Sequence, residues 1–375
     1  GPWLTAFAYG TSYFSAVVFV GYAGQFGWKY GIASTWIGIG NAVIGSLMAW
    51  VVLGRRTKVM TQHLGSKTMP DFFGERYGSK ALKIMASAIV FVFLVPYTAS
   101  IYNGLSRLFE MAFHIPYAYC VAGMAVFTGI YVILGGYMAT AINDFIQGII
   151  MLLGIVAVIA AVLSGQGGFL EAIRKMAEIP SDLPVTMGQP GAFTSFFGPD
   201  PWNLLGVIIL TSLGTWGLPQ MIGKFYAIKD EKSINTGTVI STLFACVVAG
   251  GSYFLGGFGR LFDSSEIYDE TGSVVFDSIV PHMLSSLPDL LIGIVVVLVL
   301  SASMSTLASL VLTSSSTLTL DFLKDNVMKN MSEKKQIRWM QFLVVFFIGL
   351  SVWIALDPST FIAQLMGISW GALAG

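Results

Sequence analysis

Long apolar runs separated by short polar connections recur along the whole chain. Each run is about 20 residues long, the length that an α-helix needs to cross the hydrocarbon core of a bilayer. The chain begins at one run and stops inside another, so we expect both ends to be cut from a longer protein. We predict nine complete membrane spans and the start of a tenth. They cover residues 3–26, 30–53, 81–105, 117–135, 139–164, 203–223, 236–259, 288–320, 337–356 and 359 onward.

The composition indicates that most of the protein's surface is in contact with lipid. Hydrophobic residues make up 55% of the 375 residues, charged residues only 11%, and mean hydropathy is +0.75. A soluble domain carries about 25% charged residues. The chain is therefore predicted to be an all-α, multi-pass protein of the plasma or inner membrane. Its net charge is zero and it has no basic tract, which argues against a nucleic-acid partner.

Basic residues are concentrated in every second connection between spans. The connections after even-numbered spans hold 15 of the 20 basic residues, and the others hold five. Basic connections stay in the cytoplasm, so span one is predicted to run from inside to outside. The 165–202 connection is then external, and its amphipathic stretch GGFLEAIRKMAEI is expected to lie along the membrane surface.

Spans one and six are each interrupted near the middle. The interrupting residues are Gly10, Thr11, Ser12 and Ser15 in span one, and Gly214, Gly217 and Pro219 in span six. Proline and glycine weaken a helix, and carbonyls freed at that depth are tolerated only where they line a cavity or bind a ligand. The five-span offset predicts one transmembrane domain of two inverted repeats, about 1–164 and an incomplete 203–375. The alternative is that these residues only permit close helix packing.

Span eight carries a stripe of hydroxyl groups. Its members recur at three- and four-residue steps and so share one helix face: Ser301, Ser305, Ser309, Thr313 and Ser316. Thr306 lies beside this stripe. Hydroxyls together with carbonyls of a broken helix would replace the hydration shell of Na⁺ without a fixed charge. Alternatively, the hydroxyls bond to their own helix or across to another.

Asp144 is the only acidic residue placed clearly inside a span, near the cytoplasmic end of span five. We find no lysine or arginine inside any span to pair with it, so we expect its partner to be a cation or a proton. The alternative is a shallow, hydrated carboxylate.

Several segments resemble the sodium/solute symporter family, which includes proline, pantothenate, sialic acid and sodium/glucose carriers. The segments that carry the resemblance are SASMSTLASLVLTSSSTLTLDF in span eight, GGYMATAINDFIQGIIMLLG from Gly135, TMPDFFGERYGSKALK, SRLFE and GLPQMIGKFYAIKD. The resemblance implies the leucine-transporter-like five-plus-five inverted-repeat fold, with Na⁺ as the coupling ion and alternating access as the mechanism. In that family one further helix precedes span one, and more spans follow span ten.

The resemblance also implies a principal sodium site. Its ligands would be the carbonyls of Thr11, Phe14 and Ala302 and the hydroxyls of Ser305 and Thr306. Some members have a second cation site, which Asp144, Ser305 and Ser309 would fill here with Na⁺ or a proton. Ala308, however, stands where such members offer another serine.

The sequence departs from proline carriers at three positions. Tyr13 occupies a place where those carriers have an aspartate, and Thr211 and Thr215 stand where they place aromatic residues. Pro219 is kept. The resemblance therefore does not extend to proline as the solute.

The predicted function is inward symport of a small organic solute with Na⁺, with an amino acid or carboxylate favoured over a sugar. The solute should lie between spans one, three, six and ten. Its candidate contacts are Ser12, Tyr13, Ser15, Tyr97, Tyr102, Thr215, Trp216, Pro219 and Gln364. Two alternatives are a sensor domain of a signalling protein and a proton-coupled carrier that uses Asp144. No enzymatic activity is expected, and the sequence does not fix the oligomeric state.

Overall fold

The computed structural model describes residues 2–12, 14–228, 231–328, 331–357 and 361–374, without the side chains of residues 2, 135–143, 232 and 374. The described part is helical, with one isolated bridge between Tyr268 and Val274. Its α-helices, numbered in chain order, are α1 (Pro2–Ser12), α2 (Ala23–Tyr30), α3 (Thr35–Gly40), α4 (Arg55–Leu64), α5 (Met69–Tyr77), α6 (Lys80–Phe113), α7 (Tyr117–Gly165), α8 (Phe169–Glu178), α9 (Pro201–Leu213), α10 (Pro219–Ala227), α11 (Lys232–Gly256), α12 (Phe276–Ser285), α13 (Asp289–Thr317), α14 (Glu333–Ala355) and α15 (Ile362–Ala374).

Wider π-helical and tighter 3₁₀ turns connect several of these helices. The π-helical segments are Val17–Tyr22, Asn41–Met48, Trp50–Gly54 and Leu318–Val327. The 3₁₀ segments are Gly31–Ser34, Pro184–Thr186, Ala192–Thr194, Gly214–Gly217, Gly259–Phe262 and Ser265–Ile267.

The apolar helices have the number and length needed for a multi-pass membrane protein. Within the described ranges, seven helical stretches are long and apolar enough to cross a bilayer, and the bent pair α9–α10 makes an eighth. Large apolar side chains such as Trp202, Leu134 and Trp353 are exposed on the outside, where lipid would cover them. The prediction of an all-α membrane protein is confirmed.

Spans one and two were predicted to be separate, and the chain does reverse between them. Gly31 has a φ of 60°, which a residue without a Cβ adopts easily. Beyond it the chain returns beside α1, because the Tyr9 ring packs 5.1 Å from that of Trp50. Spans one and two are therefore neighbours.

Spans four and five were predicted with a connection at residues 136–138, but the backbone stays helical throughout α7. The two predicted spans are both present, as the apolar stretches Tyr117–Leu134 and Asp144–Gly165. Both halves of α7 contact neighbouring residues of α13: Thr128 lies 4.0 Å from the Met304 sulfur, and Asp144 receives a hydrogen bond from Ser305.

Helices α2 and α11 cross almost backbone to backbone. A Cβ placed on Gly27 would overlap the Gly256 carbonyl, and one placed on Gly256 would overlap the carbonyl of Ala23. Only glycine allows this approach, which holds the second half of span one against span seven.

A network of charged side chains joins α5, α6 and the segment after α13, at the end of the bundle where the predicted cytoplasmic connections lie. Lys83 Nζ lies 2.7 Å from Asp71, 2.6 Å from Asp325 and 3.6 Å from Asp321. Asp321 is almost fully buried.

The start of α15 is fixed by a buried carboxylate. Asp277 of α12 accepts a hydrogen bond of 3.0 Å from the backbone N–H of Ile362.

The 165–202 connection contains the predicted amphipathic helix, α8. Its buried residues Ala172 and Met176 pack with Phe193 and Phe258, so α8 is anchored to the rest of the protein by its apolar face.

Candidate functional site

Span one is broken between α1 and the helical segment that starts at Ala16. Phe14 and Ser15 are outside helical structure, whereas Gly10, Thr11 and Ser12 still belong to α1, so the break comes later than the interrupting residues suggest. The Ala16 N–H donates 3.1 Å to the Ser303 hydroxyl of α13 instead of to a carbonyl of its own helix. A buried N–H without a helical partner needs such an acceptor.

Span six is broken in the matching place. Helix α9 ends at Leu213, a 3₁₀ turn covers Gly214–Gly217, and α10 begins at Pro219, with a bend of 54° between the two halves. Leu218 has extended backbone angles, φ −72° and ψ 120°, which the following proline favours. Proline is well suited to the first position of the new helix, where no backbone donor is needed.

Three of the proposed sodium ligands meet where the first break contacts α13. Thr306 Oγ1 lies 3.3 Å from the Phe14 carbonyl oxygen and 3.2 Å from that of Ala302. A threonine hydroxyl carries one proton, so it cannot satisfy both carbonyls fully. The Thr306 hydroxyl therefore bridges the break in span one and α13.

The residues of the other two proposed ligands, Ser305 and Thr11, contact each other through their hydroxyls. Ser305 Oγ donates to the Asp144 carboxylate at 2.6 Å and lies 3.2 Å from Thr11 Oγ1. Thr11 directs its own hydroxyl to the carbonyl of Ala8, at 3.3 Å. The Thr11 carbonyl, which is the proposed ligand, accepts a hydrogen bond of 3.2 Å from the Phe14 N–H. All five ligand residues are buried, with at most 1% of their surface exposed.

Asp144 has a basic partner, contrary to the prediction. Lys224 Nζ lies 3.7 Å from Asp144 Oδ2 and 3.5 Å from the hydroxyl of Ser309. The sequence places Lys224 in a connection just after span six. In the structure α10 continues to Ala227, and the bend at the second break directs it towards α13, so Lys224 is buried with 8% of its surface exposed. The prediction that Asp144 has no lysine or arginine inside a span to pair with is wrong.

The residues predicted to contact the solute do not all face one place. Ser12 and Ser15 are buried at the first break, with Ser12 Oγ bonded to the Ala8 carbonyl and Ser15 Oγ accepting from Val17 N–H. Thr215 is buried at the second break. Tyr97 is buried, and its ring lies 6.2 Å from that of Trp370 of α15, which also packs against Gly214. Tyr13 lies outside the described residues.

Four other predicted contacts point elsewhere or serve another role. Trp216 Nε1 donates to the Ile44 carbonyl of span two, at 3.0 Å. Tyr102 is fully buried and lies five residues after Tyr97, on a different face of α6. Gln364 is exposed and is not among the buried residues around the breaks. Pro219 starts α10 and lines a cavity on its far side.

Sequence reasoning missed three residues that shape this region. Ser303 holds the restart of span one, and a signal for it was present, since it lies in the same hydroxyl-rich segment as Ser305. Trp370 joins spans one, three and ten, with its ring 5.9 Å from that of Tyr22. Asn41 accepts hydrogen bonds from Thr211 at 3.0 Å and from Ser212 at 3.1 Å, which turns the Thr211 hydroxyl towards span two.

Comparisons with known proteins agree with this geometry. The model of the sodium:solute symporter family matches residues 1–375. Sodium/proline symporter 2 of Staphylococcus saprophyticus is 30% identical over 99% of this chain and 71% of its own length. The sodium/proline symporter of Staphylococcus aureus is 31% identical over the same shares.

A solved structure shares the fold. It is a Na⁺-coupled sialic acid symporter in a substrate-bound, outward-open state, with a TM-score of 0.77 and 13% sequence identity. The match covers 99% of this chain and 78% of that one. This likeness confirms the leucine-transporter-like fold. The family and the relatives are transporters rather than enzymes, and they favour the carrier over the sensor and over proton coupling.

The broken spans, the oxygen cluster and these matches lead to one conclusion. The chain belongs to the sodium:solute symporter family and is a Na⁺-coupled symporter of a small organic solute in the cell membrane.

Proposed function

We propose that Na⁺ binds between the break in span one and α13. Its ligands are the carbonyls of Thr11, Phe14 and Ala302 and the hydroxyls of Ser305 and Thr306. The observation that carries the proposal is the buried contact between the break and α13, in which Thr306 Oγ1 lies 3.3 Å from the Phe14 carbonyl oxygen and 3.2 Å from that of Ala302, and Ser305 Oγ lies 3.2 Å from Thr11 Oγ1. Because all five ligands are neutral, the ion is held without a fixed counter-charge, which favours release on the low-Na⁺ side.

The bound ion links the two helix sets that move against each other. Na⁺ between span one and α13 stabilises the closed inner gate until solute arrives, and rocking of one set against the other then opens the site inward. We assign this motion to the two repeats, about 1–164 and 203–375, and to the external 165–202 connection.

The driving force for accumulation comes from the membrane potential and the Na⁺ gradient. A potential of about 100 mV contributes roughly 2.3 kcal/mol per ion. A tenfold Na⁺ gradient adds about 1.4 kcal/mol, so one ion supports about 500-fold accumulation of a neutral solute.

We propose a small amino acid or carboxylate as the solute. The buried groups around the two breaks are hydroxyls and aromatic rings, with Ser12, Ser15, Thr215, Tyr97 and Trp370 as the contacts. An anionic group would be met by N–H groups at the helix breaks, where the positive ends of half-helices point. The names of the relatives, sodium/proline symporters, support an amino acid. Thr211 and Thr215, in place of the aromatic residues of those carriers, argue for a solute other than proline.

The test is a panel of labelled solutes in proteoliposomes that contain this protein. Amino acids, including proline, and small carboxylates and sugars are each offered with an inward Na⁺ gradient, an inward K⁺ gradient or an inward proton gradient. The proposal predicts that one amino acid or carboxylate is accumulated only with Na⁺. Uptake that follows the proton gradient and ignores Na⁺ would support the proton-coupled alternative, and accumulation of a sugar alone would refute the solute class.

A further inference from the structure

The ammonium group of Lys224 lies where a second coupling ion would have to bind. Of the three side chains that would form a second cation site, Asp144 and Ser309 both lie within 3.7 Å of Nζ, and Ser305 donates its proton to Asp144. Ser305 also belongs to the proposed principal site, so the Asp144 carboxylate and the Ser305 hydroxyl together separate the lysine from the first ion. The break in span six positions it there, because α10 bends by 54° from α9.

The charges around this position already balance. Asp144 is 1% exposed and Lys224 is 8% exposed, so one buried carboxylate faces one buried ammonium. A second Na⁺ beside the lysine would leave an extra positive charge in a site of low polarity, which is strongly unfavourable. Without the lysine, the carboxylate would be left alone and would require another cation.

A cavity reaches Lys224 and Ser309 from the side of the predicted cytoplasmic connections. This cavity of about 400 Å³ between α10 and α13 is lined by Lys224, Ser309 and Thr313 and opens beside Thr68. Gln220 also lines it, is 3% exposed, and has no hydrogen-bond partner for its amide among the residues that the structure describes. Asp144 lies 3.7 Å behind the lysine, so removal of the lysine side chain would open the cavity towards the carboxylate.

We infer that Lys224 is a tethered substitute for a second Na⁺, and that it limits this symporter to one Na⁺ per solute. The inference rests on the proposed principal site. The lysine supplies the positive charge that Asp144 needs, stays with the protein through the cycle, and so removes one ion from the coupling stoichiometry. Loss of the lysine should convert its position into a second Na⁺ site.

The experiment measures solute accumulation at equilibrium in proteoliposomes, with the membrane potential clamped at zero and a tenfold Na⁺ gradient. One ion per solute gives about tenfold accumulation, and two ions give about hundredfold, because each ion contributes the full gradient. The wild type is expected to reach about tenfold, with a Hill coefficient near 1 for Na⁺. Lys224→Met, which keeps most of the side-chain volume, is expected to approach hundredfold with a Hill coefficient approaching 2.

Two further variants distinguish a change in Na⁺ stoichiometry from a general loss of stability or transport. Lys58→Met removes another buried lysine, whose Nζ donates to the Tyr226 carbonyl rather than to Asp144, and should keep tenfold accumulation. Adding Asp144→Asn to Lys224→Met should return the stoichiometry to one. If Lys224→Met transports too slowly to reach equilibrium, its thermal stability in detergent gives the second readout. Na⁺ should stabilise Lys224→Met more than the wild type, and the added Asp144→Asn should abolish the difference.

The outcomes are distinct. Hundredfold accumulation by the wild type, or a Lys224→Met protein that still couples one ion and gains no Na⁺-dependent stability, would overturn the inference while leaving the principal site intact. A wild type that accumulates solute equally well without Na⁺ would instead overturn the proposed function.

Discussion

Replacement of Thr306 by valine tests the principal site at a single atom. Valine has nearly the shape of threonine, so the change removes Oγ1 and leaves the packing of α13 intact. That oxygen lies 3.3 Å from the Phe14 carbonyl and 3.2 Å from the Ala302 carbonyl, between the two halves of the site. The substitution removes one of five proposed ligands.

The expected size of the effect follows from the charge of the ion. A polar contact to a charged group contributes about 1.5–3 kcal/mol, which corresponds to roughly a 10- to 150-fold change in affinity. The Ala302 carbonyl keeps its place in the helix, so the main loss is in the state that holds Na⁺. We therefore expect the Na⁺ concentration for half-maximal uptake to rise by about 10- to 150-fold, and maximal uptake to recover at high Na⁺.

The assay is initial solute uptake into proteoliposomes over a wide range of external Na⁺. Thr319→Val is the matched control, because Thr319 is also buried and its hydroxyl bonds to the Ser315 carbonyl of its own helix. It should leave the Na⁺ dependence unchanged. A Thr306→Val protein whose half-maximal Na⁺ concentration stays within about threefold of wild type would refute the assignment of Thr306 as a ligand.

Three further predictions concern stability, each measured by thermal unfolding in detergent. Gly27→Val should destabilise the protein by about 1–3 kcal/mol or more, since its side chain would overlap the neighbouring helix, whereas Gly123→Val, with open space at that position, should have little effect. Ser303→Ala should cost about 1–3 kcal/mol, because the buried N–H of Ala16 loses its acceptor; unchanged stability and Na⁺ affinity would contradict this role. Burial raises the pKa of Asp277 from 3.8 to about 6, so the folded protein holds a proton that the unfolded chain releases. Stability should therefore fall by up to about 3 kcal/mol as pH rises from 4 to 6, and Asp277→Asn should remove that fall.

The break in span six could be predicted from backbone chemistry, whereas the break in span one comes later than Gly10, Thr11 and Ser12, which remain in α1. Pro219 cannot continue the helix before it and Gly214 and Gly217 weaken that helix, and the structure breaks span six there. The hydroxyl pattern of span eight likewise placed Ser305 and Thr306 on the face that meets span one. Both predictions need only local geometry.

The partner of Asp144 could not be predicted because it depends on how the second break is bent. A lysine just after an apolar run is normally read as part of the polar connection, and only the 54° bend places Lys224 against α13. The direction in which a side chain points likewise depends on tertiary packing and cannot be read from the sequence. Trp216 lies beside the break in sequence, yet its indole bonds to Ile44 of span two. Gln364 faces outward because the burial of α15 is decided by Trp370 and its neighbours.

Equilibrium binding of ²²Na⁺ to the purified protein tests the central claim most directly. The account predicts saturable binding of one Na⁺ per chain in the wild type, and loss of that binding in a Ser305→Ala/Thr306→Val double variant that unfolds at a similar temperature. Undiminished ²²Na⁺ binding by the folded double variant would contradict the claim that the ion lies between the break in span one and α13.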